Sequence, residues 1–153
     1  MIDHAKDDED FNHIRDLFIQ YHKFLGVDLS FQGFEQELKD LPGKYDEPNG
    51  CLLLAREGVS VAGVVGLWPL EENVCEMKRL FVRPFWRGKG FGRLLAEAVL
   101  HEARERGYST VLLDTLPQLI EARTLYISLG FKETEAYYDN PLRGVSYLKK
   151  ELK

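Results

Sequence analysis

Val82-Arg83-Pro84-Phe85-Trp86-Arg87-Gly88-Lys89-Gly90-Phe91-Gly92-Arg93 carries an apolar strand into an amphipathic helix through a basic, glycine-rich turn. Before the turn, Met77 to Val82 reads as a strand. After it, Phe91, Leu94, Leu95, Ala98, Val99 and Ala103 recur at helical spacing and set one apolar stripe against a core, so the helix begins near Gly90 and ends near Gly107. The first amides of such a helix lack intrahelical acceptors, and the macrodipole leaves positive potential there. The alternating Gly88, Gly90 and Gly92 let a diphosphate approach the bare backbone. Arg87, Lys89 and Arg93 add mobile positive charge. Arg93 in the first turn opposes the dipole, which is unfavourable unless an anion is bound.

Spacing excludes two common phosphate motifs. A Walker loop needs Ser or Thr after its lysine, but Lys89 is followed by Gly90. A dinucleotide fingerprint would need a third glycine at the position of Arg93.

The chain has 153 residues, the size of one domain, and is expected to fold as one over 1–153. Its formal charge of -5 argues against a general nucleic-acid surface, so the basic cluster from Lys78 to Arg93 suits a small anionic ligand. Cys51 and Cys75 are far apart in apolar segments and form no Cys-x-x-Cys pair, which reads as buried reduced thiols with no zinc or other metal site. The longest uncharged run, Gly58 to Leu70, breaks no further than a short segment and cannot span a bilayer. With an acidic start, the chain is expected to be cytoplasmic and free of membrane.

Phe11, Ile14, Leu17, Phe18, Tyr21 and Leu25 repeat at helical spacing behind the acidic run Asp7 to Asp10, predicting a first helix that ends near Gly26. Ser30 is expected to cap a shorter helix through about Leu41, with Tyr45 to Gly50 as loop. Cys51–Arg56 and Ser60–Leu67 predict an antiparallel hairpin, followed by a strand over Val74–Val82. Thr110–Asp114 is a short apolar strand, and Thr115 with Pro117 marks the start of a helix carrying Tyr126. Phe131–Tyr138 and Val145–Leu152 predict a closing hairpin. The fold class is α/β, with a mixed, mostly antiparallel central sheet flanked by helices.

Two separated motifs, in order, identify a family resemblance. Arg-x-x-Gly-x-Gly, carried by Arg87, Gly90 and Gly92, and Ala122-x-x-Leu125-Tyr126-x-x-x-Gly130-Phe131 resemble the cofactor motif and second motif of the GCN5-related N-acetyltransferase (GNAT) family. The resemblance spans roughly residues 50 to 152. It implies a splayed central strand pair, Met77–Val82 and Thr110–Asp114, that admits acetyl-CoA. It further implies transfer of the acetyl group to a primary amine of a small molecule or peptide, directly in a ternary complex. Cofactor contacts would come from Leu80, Phe81, Val82, Arg87, Gly88, Lys89, Gly90, Phe91, Gly92 and Arg93, with an oxyanion-binding amide near Leu80 freed by a bulge. Leu119 stands where the family pattern often has asparagine, so one polar contact to the pantetheine arm is missing.

Such a transfer needs a base for the ammonium, an oxyanion donor and an acid for the leaving thiolate. Glu76, in the strand leading to the loop, is the first choice as base and the position where the family often carries a glutamate. Its plain alternative is an exposed strand carboxylate paired with Lys78. Asp114 is a second base candidate or a turn aspartate. Tyr126, near the sulfur in the resembling family, would be the acid; read by itself it is a core tyrosine. A noncatalytic acyl-CoA-binding module is the competing function. Tyr137-Tyr138-Asp139-Asn140 could shape acceptor selectivity or a homodimer contact.

Overall fold

The computed structural model describes residues 1–152. Seven strands form one sheet in the order β1-β2-β3-β4-β5-β7-β6. They are β1 (Ile2–His4), β2 (Cys51–Glu57), β3 (Ser60–Glu71), β4 (Val74–Val82), β5 (Thr110–Thr115), β6 (Lys132–Thr134) and β7 (Ser146–Glu151). The helices are α1 (Asp8–Leu25), α2 (Phe34–Asp40), α3 (Phe91–Glu105) and α4 (Ile120–Ser128). Neighbouring strands run antiparallel except β4 and β5, which are parallel because α3 carries the chain from the end of one to the start of the other.

Each face of the sheet buries its own core. On one, Phe91, Leu95, Val99 and Ala103 of α3 pack with Leu53, Val65, Met77 and Leu113. On the other, Ile14, Leu17 and Phe18 of α1 pack with Phe34, Tyr45, Val64 and Phe81. The α1 ends are set locally: the Asp7 carboxylate accepts from the Asp10 amide at 2.9 Å, and Gly26 closes the helix in the left-handed region at φ 69°. Among the described residues, no helix is long and apolar enough to cross a membrane.

Several boundaries differ from the sequence reading. The segment from Ser30 to Leu41 is broken: Ser30–Gln32 forms a 3-10 turn, and Gly33 at φ 70° separates it from α2. Ser30 does not cap a helix there, because its amide and hydroxyl donate to Asp28 instead. Tyr45 lies in a further 3-10 turn, Gly43–Tyr45, and is buried rather than looped out. β5 extends to Thr115, which pairs with Ser146 of β7, so α4 starts only at Ile120. The closing hairpin exists, but its first arm is only Lys132–Thr134. Beyond it, the Tyr137 and Tyr138 hydroxyls are drawn to Glu76 and Asp114. β1 was not expected; it is short and polar, and is held by pairing with Ala55, Leu54 and Leu53 and by an Arg56–Asp3 ion pair at 3.0 Å.

Cys51 and Cys75 are free and buried, and burial pushes both thiols up to about 12 from an ordinary 9.0. The unfolded chain therefore holds fewer protons than the folded one between these values, and stability is expected to fall as pH climbs through that window. A thiol reagent at pH 8 should leave both cysteines unmodified until denaturant is added. Rapid modification in the native state would contradict this burial.

Candidate active site

At the strand-to-helix turn, Gly88 and Gly90 adopt φ 79° and 88°, a region that side chains rarely occupy, and a Cβ built on either would meet no atom within 4 Å. The backbone there faces open space. The first helical bond of α3 runs from the Leu94 amide to the Gly90 carbonyl at 3.1 Å. The amides of Phe91, Gly92 and Arg93 are thus left without helical acceptors, and no side chain caps the helix. Arg87 folds back from the turn: its Nε donates to the Val82 carbonyl at 2.9 Å, and its guanidinium lies 4.5 Å from the centre of the Phe24 ring.

β4 and β5 pair only through Val74–Thr110, Cys75–Val111 and Glu76–Leu112, although both strands continue beyond. Past Glu76 they diverge. On its other side, β4 pairs Lys78 with Gly66 and Phe81 with Val64, so β4 carries one residue more than β3 between these pairs. The extra residue makes a bulge at Arg79 and Leu80, neither of which has a register partner, and Arg79 takes φ 61°.

The divergence opens a cavity of about 570 Å³. Its wall includes Leu80, Phe81 and Val82 of β4, the Arg87–Gly92 turn except Lys89, Thr115 of β5, and Ala122, Leu125 and Tyr126 of α4. Tyr21 and Phe24 of α1, Asp114, Trp86 and residues 118–121, Leu119 among them, also line it. The volume lies in the usual range for small-molecule sites. A smaller recess of about 20 Å³, bounded by Lys78, Arg79, Leu80, Asp114 and Tyr126 among others, sits where the strands part.

The polar groups here are unusually buried. Tyr126 is 7% exposed, its hydroxyl makes no hydrogen bond to a described residue, and burial raises its pKa well above the ordinary tyrosine range. It therefore stays protonated and able to donate. Asp114 accepts from the Tyr138 hydroxyl and, at 3.3 Å, from Asn140 Nδ2, yet it still lines both cavities. The Thr115 hydroxyl is buried in the cavity wall, without a hydrogen-bond partner among the described residues.

Glu76 is not an exposed strand carboxylate: it is 3% exposed. Its Oε1 accepts from Trp68 Nε1 at 2.7 Å and its Oε2 from the Tyr137 hydroxyl at 2.5 Å, while Lys78 Nζ stands 3.8 Å away. Burial, then the neighbouring Arg79, holds the Lys78 ammonium below the usual lysine value. Glu76 does not line the large cavity.

Most of the residues named from sequence meet in one place, but Lys89 and Arg93 do not line the cavity. Lys89 lies 6.0 Å from the centre of the exposed Phe85 ring, and Arg93 donates to Ser128 Oγ at 2.7 Å and pairs with Glu97 at 3.6 Å. That pair eases the dipole conflict at Arg93 without an anion. Tyr21, Phe24, Thr115 and Arg79 were missed. Tyr21 could be read only as part of an apolar stripe, and nothing local marks Arg79 as a bulge.

The fit to an acyl-CoA is direct. Unpaired strand edges, bare helix amides and an orphaned Thr115 hydroxyl can all receive an amide-bearing arm ending in a diphosphate. Comparison with known proteins agrees. The profile of the Acetyltransferase (GNAT) family matches residues 11–131. An uncharacterised N-acetyltransferase of Schizosaccharomyces pombe is 40% identical over 146 residues, covering 94% of this chain and 90% of its own. A GNAT-family acetyltransferase of Staphylococcus aureus superposes with a TM-score of 0.82 at 20% identity, covering 100% of this chain and 99% of its own. A Salmonella typhimurium acetyltransferase solved with acetyl-CoA gives 0.71 at 22% identity, covering 100% and 94%. The chain belongs to the GNAT acetyltransferase family, a class of enzymes whose cosubstrate is acetyl-CoA.

Proposed function

We propose that this chain transfers the acetyl group of acetyl-CoA to a primary amine of a small molecule or peptide, directly and without a covalent enzyme intermediate. One observation carries the reading: a bulge without register partners, a protonated tyrosine and a carboxylate share the walls of one cavity with the bare amides of a helix N-terminus. Acetyl-CoA would supply an activated thioester. The amides of Gly88 to Gly92, with Arg87, would hold its diphosphate, and Lys89 and Arg93 would add long-range attraction. Backbone groups of Leu80, Phe81 and Val82 would hold the pantetheine arm as an added strand is held. The Leu80 amide would donate to the carbonyl oxygen as charge develops on it.

For the ammonium proton, the geometry favours Asp114 over Glu76. Asp114 lines the cavity, whereas both Glu76 oxygens are already bonded away from it. Glu76 then acts by holding Tyr137 and Trp68. Tyr126 would donate a hydrogen bond to the leaving sulfur as negative charge develops on it. The departing thiol, with a pKa near that of cysteine, about 8.5, is a stronger acid than the buried phenol, so the phenol keeps its proton. Tyr126→Phe is expected to lower kcat by about 10- to 100-fold with little change in acetyl-CoA affinity. Equal loss of affinity and turnover would instead make Tyr126 a packing residue.

The reading is tested by release of free thiol from acetyl-CoA across an amine panel. Release that requires an added amine is expected. Tight coenzyme A binding with no release over the whole panel would favour the noncatalytic module.

A further inference from the structure

The bulge that frees Leu80 is built on a residue that resists it. Arg79 takes φ 61°, a conformation costly for any side chain bearing a Cβ. Glycine would adopt it freely but would bring no tether. Arg79 brings three. Its Nη2 donates to Glu37 Oε1 at 2.9 Å, its Nε to Glu37 Oε2 at 3.2 Å, and its Nη1 to Gln32 Oε1 at 2.8 Å. The guanidinium also lies 5.3 Å from the centre of the Phe34 ring. Both charged side chains are nearly closed to solvent, at 4% and 8% exposure. A two-point arginine–carboxylate pair fixes orientation as well as distance.

Glu37 is itself immobilised. The Tyr45 hydroxyl donates to its Oε2 at 2.8 Å, and the Tyr45 ring can lie there because residue 66 is glycine: a Cβ at Gly66 would come within 2.4 Å of that ring. Trp68 stacks on the same Tyr45 ring, with ring centres 5.0 Å apart. Gln32 extends the network across the cleft, donating to the Tyr138 hydroxyl at 3.1 Å, which in turn donates to Asp114. One chain of hydrogen bonds thus runs from α2, through the bulge, to the carboxylate at the end of β5.

We propose that Arg79, clamped by Glu37 and Gln32, is a positioning residue that aims the Leu80 amide at the acetyl carbonyl. The inference rests on the acetyl-transfer reading. It gives the N-terminal helical segment a role in catalysis besides covering the sheet: α2 holds the amide donor in place from the opposite face of β4. The clamp touches neither the diphosphate end of the cavity nor the pantetheine edge beyond Leu80. Its loss should therefore spare cosubstrate affinity and reduce the rate.

The test uses the full chain, saturated with acetyl-CoA carrying a carbon-13 label at the acetyl carbonyl, and reads the carbonyl stretch by infrared difference spectroscopy. An aimed amide lowers that frequency relative to the free thioester. Glu37→Gln removes the charge with little change of shape, and Arg79→Gly keeps the left-handed backbone while removing the tether. Both are expected to move the band most of the way back to the free value, and to lower kcat by about 10- to 100-fold with acetyl-CoA affinity within about threefold. Gln32→Leu, which removes one bond of the three, should give a smaller retreat. A purely structural role would lower the melting temperature but leave the band of bound cosubstrate in place.

If the band stays at its native position in folded, saturated Glu37→Gln and Arg79→Gly, the clamp is overturned and acetyl transfer stands. If the native complex shows no displaced band, the amide donor and the clamp both fall. If the native protein does not bind acetyl-CoA, the functional reading itself is overturned, and the clamp with it.

Discussion

Gly90→Asp is expected to abolish the thermal stabilisation that coenzyme A gives this protein. Two effects act together. Gly90 holds φ 88°, so any side chain there strains the turn, and the new carboxylate would project into the open space where a diphosphate approaches the α3 amides. A ligand at a hundred times its dissociation constant stabilises a protein by about 2.7 kcal/mol, which for a domain of this size raises the melting temperature by roughly 5–10 °C. The variant should show none of this shift. Gly107→Asp is the control: Gly107 has a similar φ of 84° and equally open surroundings, but lies beyond the other end of α3. It should melt earlier without ligand and keep the full shift. A full shift in Gly90→Asp, measured by calorimetry, would move the diphosphate elsewhere.

Asp114→Asn should reduce kcat by about 100-fold or more at neutral pH, and Glu76→Gln by far less. The reason is exposure to the cavity rather than charge, since both are carboxylates in the same region but only Asp114 lines it. Asparagine keeps the shape and can still accept from Tyr138. The sign of the pH dependence separates base catalysis from a positioning effect. An alkylammonium in water loses its proton near pH 10, so without the base the rate should climb with pH toward that value, and the defect should shrink. A defect that stays constant from pH 7 to 10 would remove Asp114 from the proton's route. A larger defect in Glu76→Gln would restore the strand glutamate as base.

What could be read from sequence was what short-range chemistry decides. The glycine turn was legible because φ, basicity and a helix start are all encoded within twelve consecutive residues, Val82 to Arg93. The boundaries of α1 and the identities of β2 to β5 followed from apolar spacing and from glycine stops. The splay of β4 from β5 came only through family resemblance, because nothing in either strand states where pairing ends. Arg79 shows why part of the site was hidden. Its bulge is a mismatch of register against β3, and its clamp comes from Glu37 and Gln32, over forty residues earlier in the chain. Glu76 was chosen as base from its place in the strand before the turn and from family resemblance. Its alternative as an exposed carboxylate rested on strand alternation, which gives a face but not what covers it. The tail supplies Tyr137 and the sheet supplies Trp68, and together they bury the carboxylate that the alternative reading had left exposed. Tyr138 and Asn140, read from sequence as selectivity or interface residues, are half-buried and bonded to Asp114, a contact that no local pattern in the tail announces.

The central claim is that the gap between β4 and β5 receives acetyl-CoA with its diphosphate on the opening amides of α3. A crystal structure of the protein grown with coenzyme A tests it most directly. The predicted result is diphosphate oxygens within hydrogen-bond distance of backbone amides between Gly88 and Arg93, with the pantetheine arm running along Val82 and Leu80 toward Tyr126. Coenzyme A bound elsewhere, with the strands closed over side chains in this gap, would contradict it.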